Sequence, residues 1–198
     1  MKKLILVSGK ARSGKDSFVS FLTEDLDSCQ VLDITGGLKE VVAGMFKISM
    51  EELEDAKDKT SFCDTWTGET LEHYKNHQQH TLRHFLQYIG NDIAPMLMGK
   101  FYWCMERQQK MFSVDRDINI LCGVRQLKEL EFFKSANPDK EVIVVKLERT
   151  KGGEPYSPII DKAHATETEV DLLEADYTFT CENLEEIKNA ANELKKIL

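Results

Sequence analysis

Gly9-Lys10-Ala11-Arg12-Ser13-Gly14-Lys15-Asp16-Ser17 is the stretch on which the fold turns. Before it, Leu4-Ile5-Leu6-Val7 is a short unbroken apolar run ending at Ser8-Gly9, the pattern of a central strand buried on both faces. After it, Phe18, Val19, Phe21, Leu22 and Leu26 recur near helical spacing between Asp16 and Leu26. Strand, glycine turn and helix in that order form the setting in which G-x-x-x-x-G-K binds phosphate. The two glycines let the backbone fold round an anion with its amide hydrogens inward, and the helix starting at Lys15 offers the positive end of its dipole. Lys15 then reaches the β- and γ-phosphates of a nucleotide. The position after the lysine should carry a hydroxyl for magnesium, yet Asp16 stands there with Ser17 behind it. Either Ser17 takes the metal or Asp16 contributes a hard oxygen directly or through water, and both readings stay open.

Outward from the loop, strands and helices alternate. Gln30 to Ile34 is expected as a second strand, and Gly36-Gly37 opens a helix through Leu38, Val41, Val42, Met45 and Phe46. Residues 50–80 are polar and His-rich, an insertion with helical pieces at Met50 to Lys57 and Glu69 to His80. Thr81 can cap a helix from Leu82 that Gly90 stops, and a further helix spans Asp92 to Met111. Ile118 to Val124 and Val142 to Leu147 are strands separated by the amphipathic segment Gln126 to Ser135. Tyr177 to Cys181 is a last strand before a closing helix from Leu184 to Leu198. Such alternation predicts an α/β fold with a parallel sheet covered on both faces, its chemistry at the carboxyl ends of the strands.

Composition narrows the function classes. A chain of 198 residues favours one domain with insertions. The formal charge of −8, with no block of Lys and Arg, argues against a nucleic-acid surface, so a polyanionic partner must be met locally. No apolar run reaches membrane-spanning length and the N-terminus lacks a signal-peptide core, so no membrane partner and a cytoplasmic location are expected. Cysteines at 29, 63, 104, 122 and 181 are odd in number and widely spaced, the pattern of reduced thiols. His73, His77, His80 and His84 could line one helical face as a metal site, but Thr81 breaks the run and a solvated His-rich face is the preferred reading.

With the loop in view, the chain resembles the bacteriophage-type deoxynucleoside monophosphate kinases, whose loops also read R-S-G-K-D-[ST]. Leu38-Lys39-Glu40 is similar to the family's lysine at the start of its second helix. Leu82-Arg83-His84-Phe85-Leu86-Gln87-Tyr88-Ile89-Gly90-Asn91-Asp92 resembles L-R-x-x-L-Q-x-x-G-x-D, and the Tyr102-Trp103 pair matches, with Lys100 where an arginine is often found. Val124-Arg125-Gln126-Leu127-Lys128-Glu129 resembles D-x-R-x-x-x-E, with Gly123 in the aspartate's place. His164-Ala165-Thr166-Glu167 resembles H-x-[ST]-E.

The resemblance implies a P-loop three-layer fold, with a five-stranded parallel sheet, a helical acceptor-binding insertion at about 47–115 and a small lid at about 149–170. It implies ATP as phosphoryl donor and Mg2+ as cofactor. Lys15, Arg12 and Arg125 become the expected catalytic residues, and Gly9, Ser13, Gly14, Lys15, Asp16, Ser17 and Arg149 the ATP site. Lys39, Arg83, Gln87 and Asp92 become the acceptor site, His164 and Glu167 belong to the lid with Gly152-Gly153 as a hinge, and Ser17 or Asp16 takes the metal. Trp103 is read as core before base stacking. The expected partners are small-molecule nucleotides; the assembly state stays open, a homodimer included, and a phage-encoded chain would work in the host cytoplasm. Two rivals use the same loop: a kinase for another phosphorylated metabolite such as phosphomevalonate or dephospho-coenzyme A, and an ATP-dependent switch protein. The switch would need a strand-end aspartate where Gly123 stands.

Overall fold

A computed structural model describes residues 2–57, 81–151, 154–155 and 168–198. It divides into two compact units, Met1–Ile34 with Cys104–Leu198, and Thr35–Trp103. Several sequence expectations lie outside the described residues: the helix from Glu69 to His80, the histidines at 73, 77 and 80 with the side chain of His84, Cys63, the Gly152-Gly153 hinge, and His164 and Glu167.

The first unit is built on five parallel strands. β1 (Lys3–Gly9) lies between β3 (Ile118–Val124) and β4 (Glu141–Lys151). β2 (Cys29–Asp33) pairs with β3, and β6 (Tyr177–Cys181) pairs with β4. The order is β2-β3-β1-β4-β6, and the two-residue β5 (Glu154–Pro155) joins the end of β4 antiparallel. This is the α/β architecture with a five-stranded parallel sheet that the sequence predicts.

The apolar run explains why β1 is central. Leu4, Ile5, Leu6 and Val7 are all fully buried. On one face Ile5 and Val7 join Ile120, Cys122, Ile143 and Val145, covered by α1 (Lys15–Thr23) through Phe18 and Leu22 and by α8 (Leu184–Lys195) through Ile187, Ala191 and Leu194. Leu4, Leu6, Leu121 and Val144 alternate to the other face and are buried as well. Each such side chain contributes roughly 1.5–3 kcal/mol by leaving water, so this layer dominates the unit's stability. Because the strands are parallel, the ends of β1, β2 and β3 meet at one edge of the sheet. Beyond β3 the chain turns at Arg125 into α7 (Leu127–Ala136).

The second unit packs α2 (Gly36–Phe46), α3 (Met50–Ala56) and α4 (Leu82–Tyr88) around a small core of Leu38, Val42, Ala43, Leu53 and Leu86. Phe46, Phe85, Ile89 and Trp103 close it, so Trp103 takes its core role. α3 begins with a capping box in which the Ser49 hydroxyl accepts from Glu52 N at 3.1 Å and the Glu52 carboxylate accepts from Ser49 N at 2.7 Å.

Two helix boundaries differ from expectation. Gly90 does not stop the helix, because the bonding widens into a π turn over Ile89–Ile93 that runs straight on into α5 (Ala94–Met98). The helix expected from Asp92 to Met111 is instead cut at Gly99, whose φ of 94° ends α5, and α6 (Tyr102–Phe112) starts anew. No helix among the described residues is long and apolar enough to cross a membrane.

Candidate active site

The glycine loop leaves β1 at Gly9 and enters α1 at Lys15. Gly14 caps the helix in the left-handed region at φ 92°, which only glycine adopts without cost. Arg12 is also left-handed, at φ 59°, an uncommon state for a residue with a side chain and one that clusters at functional sites. Its carbonyl accepts from Arg149 Nη1 at 3.2 Å, which ties the loop to the end of β4. The Ser13 hydroxyl is buried and has no hydrogen-bond partner among the described residues.

Lys15 decides what the loop can hold. Its side chain is only 7% exposed, and its ammonium reaches the Lys10 carbonyl at 3.4 Å, a long contact for a buried charge. Burial lowers its pKa, and the Arg125 guanidinium pushes the same way, while Asp16, Cys122 and Asp33 oppose. Two cations held close together in a partly dry site attract a polyanion strongly, and this local charge explains how an acidic chain can bind one. Asp16, in the first turn of α1, accepts from the Cys122 thiol at 3.5 Å, so its carboxylate lies against the end of β3. Burial and the Asp16 carboxylate together push that thiol up to about 12. Ser17 is partly buried one position further along α1.

Arg125 stands on a turn whose amides are held by carboxylates. Glu129 Oε2 accepts from Arg125 N at 2.8 Å and from Gln126 N at 3.0 Å. Glu169 Oε2 accepts from Leu127 N at 2.9 Å. Glu169 belongs to a 3-10 turn, Glu169–Leu172, whose Asp171 also pairs with Lys10 of the loop at 2.8 Å. One short acidic turn thus touches both the phosphate loop and the Arg125 turn. Sequence reading singled out neither Glu169 nor Asp171, because an aperiodic polar segment gives no signal of where it docks. Asp33, at the carboxyl end of β2, was also passed over, although an acid ending an apolar strand is a signal in itself.

In the second unit, Lys39 on α2 pairs with Glu54 on α3 at 2.6 Å, so this predicted acceptor contact is held in an ion pair. Arg83 and Gln87 are partly buried on α4, four residues apart, and Asp92 is exposed in the π turn. Arg83 N donates to Lys57 O at 2.8 Å, which joins α4 to the end of α3. Within the first unit the structure therefore brings Lys15, Asp16 and Arg125 together, with Arg12 and Arg149 joined through the loop backbone.

Residues 31–191 match the family of deoxynucleotide monophosphate kinases. The chain belongs to that family. The matched span contains the Leu82–Asp92 segment and Arg125 but not Gly9–Ser17, so the loop stands as an independent sign of nucleotide chemistry. As a member, the protein is a nucleoside monophosphate kinase, a nucleotide-binding transferase. No curated protein sequence matches it. Solved structures that the chain matches include shikimate kinase from Aquifex aeolicus, 15% identical over 98% of this chain and 97% of the other, with a TM-score of 0.46. Thymidylate kinase from Candida albicans is 10% identical over 99% and 92%, with a TM-score of 0.44. The tunicamycin resistance protein of Deinococcus radiodurans is 9% identical over 98% and 95%, with a TM-score of 0.47.

Proposed function

We propose that this kinase transfers the γ-phosphoryl group of ATP to a deoxynucleoside monophosphate, giving ADP and the deoxynucleoside diphosphate. The observation that carries the reading is the buried Lys15 ammonium inside the glycine loop with Arg125 beside it at the sheet's carboxyl edge. A monophosphate oxygen is already a competent nucleophile, so the chain's task is alignment and charge neutralisation. Gly9, Ser13, Gly14 and the amides of the loop hold the donor phosphates. Lys15 and Arg12 neutralise the charge that develops on the transferring group, Arg125 serves donor and acceptor phosphates, and Arg149 supports the ATP side. Acceptor recognition falls to Lys39, Arg83, Gln87 and Asp92, with Lys39 exchanging Glu54 for the acceptor phosphate.

The donor set suits magnesium, a hard cation that binds through one or two carboxylates and substrate phosphates. Asp16 is assigned to it because its carboxylate lies against the end of β3, with the Ser17 hydroxyl the second candidate. When bound with ATP, magnesium neutralises charge on the β- and γ-phosphates.

The test is ADP release measured against each of the four deoxynucleoside monophosphates and their ribose counterparts. At least one deoxy acceptor should raise turnover well above the acceptor-free background. A flat response to all four would refute the substrate class.

A further inference from the structure

In P-loop phosphotransferases an acid at the end of a sheet strand usually joins the loop in holding the metal, and in this chain the position following Cys122 on β3 is a glycine. We propose that Asp33, from the neighbouring strand β2, supplies that carboxylate and faces the magnesium of the bound metal–ATP complex together with Asp16. The proposal rests on the ATP-dependent reading above.

Register places it there. Asp33 and Cys122 are partners on parallel strands, so their side chains leave the sheet on the same face. The Cys122 thiol meets Asp16 Oδ1 on that face, and Asp33 stands one strand away at the same height, as the last residue of β2. Gly123 shows why β3 does not provide the acid itself. At φ 91° it accepts a side chain only with strain, and an added Cβ would lie 3.4 Å from Asp33 Oδ1 and 3.2 Å from Ile34 Cγ2. The space beside position 123 is thus already lined by the Asp33 carboxylate, and a second acid there would meet like charge. The acid of the strand edge has in effect moved one strand across.

Independent features mark this edge as a ligand site. The Lys15 side chain is buried with its ammonium at a long 3.4 Å from the Lys10 carbonyl, and the buried Ser13 hydroxyl lacks a partner among the described residues. Both suit phosphate oxygens. Asp33 is close enough to act on Lys15 and on Cys122 electrostatically. That proximity also defines the competing role, in which Asp33 merely balances the Lys15 charge.

Manganese titration of the full chain with a non-hydrolysable ATP analogue separates the two. Free Mn2+ is read by electron paramagnetic resonance, and analogue binding is read in parallel with EDTA present. For Asp33→Asn, Mn2+ affinity of the analogue complex should fall about 10-fold or more, in the range seen when metal-site partners are removed. Metal-free analogue binding should stay within about twofold of wild type, and Asp33→Glu should recover part of the Mn2+ affinity. The proposal is overturned if Asp33→Asn keeps wild-type Mn2+ affinity, or if it loses metal-free binding to the same extent, since the residue then serves Lys15 or the fold. A wild-type chain that binds no analogue at all would instead refute the ATP reading itself.

Discussion

Replacing Glu129 tests whether the Arg125 turn is held as described. Its Oε2 accepts from Arg125 N at 2.8 Å and Gln126 N at 3.0 Å. Glu129→Ala leaves both donors without that acceptor, at about 1–3 kcal/mol each where water cannot replace it, the Gln126 bond being the Glu129 half of the α7 capping box. About 2–4 kcal/mol in total is expected, because the Arg125 turn can partly relax toward water once the side chain is gone. In a protein of this size that corresponds to a fall in Tm of roughly 10 °C. Glu129→Gln behaves differently, because it keeps an oxygen on both amides and removes a charge. Burial raises the Glu129 pKa above its ordinary 4.5 despite the two amides and the nearby Lys128 and Arg125. A carboxyl whose folded pKa is raised contributes stability that is present below 4.5 and lost as pH rises through the folded value. At pH 8 the glutamine variant should therefore match or exceed wild type, and that advantage should disappear as the pH falls toward 4.5. Urea unfolding of both variants at the two pH values measures this. The reasoning fails if Glu129→Ala costs under about 0.5 kcal/mol, or if Glu129→Gln is as damaging as alanine at pH 8.

Three further outcomes follow from the same geometry. Lys15→Met should lower kcat by at least about 100-fold, the usual loss for one preorganised donor, yet melt no lower than wild type. Its depressed pKa means that the buried ammonium costs stability at neutral pH, so wild-type stability should gain on the variant as pH rises toward 10.5. Gly14→Ala forces a side chain to φ 92° and against Ile187 Cδ1, so a loss of about 2 kcal/mol or more is expected on thermal unfolding, with weaker ATP binding in calorimetry. Burial pushes the Cys104 and Cys122 thiols up to about 12, so iodoacetamide at pH 8 should modify Cys29 in the folded chain and spare those two, as read by peptide mass spectrometry.

Most of the sheet could be read directly from the residues: the unbroken apolar run Leu4 to Val7 lies within the central strand buried on both faces, the mostly apolar Ile118 to Val124 matches β3, and Tyr177 to Cys181, whose threonines alternate with apolar residues, matches the edge strand β6. The phosphate loop was equally legible, since its function depends on local backbone geometry that Gly9, Gly14 and Lys15 encode by spacing. The helical unit was harder. Gly90 reads as a stop, but the bonding widens into a π turn over Ile89–Ile93, whose first residue packs beside Leu86 in the small core. Gly99, in contrast, does break a helix that apolar spacing alone extends. Partnerships across the chain were least visible: Asp33 beside Gly123, Glu169 on Leu127 and Asp171 on Lys10 depend on strand register and on where a short polar turn lands.

The central claim is that a phosphoryl group passes from ATP to the acceptor's own phosphate. ATP carrying heavy oxygen in the γ-phosphoryl group, incubated with enzyme, magnesium and a deoxynucleoside monophosphate, tests this by mass spectrometry of the products. The account predicts label in the new terminal phosphate of a deoxynucleoside diphosphate, in step with ADP formation. Label found only in inorganic phosphate, with the acceptor left a monophosphate, would contradict it.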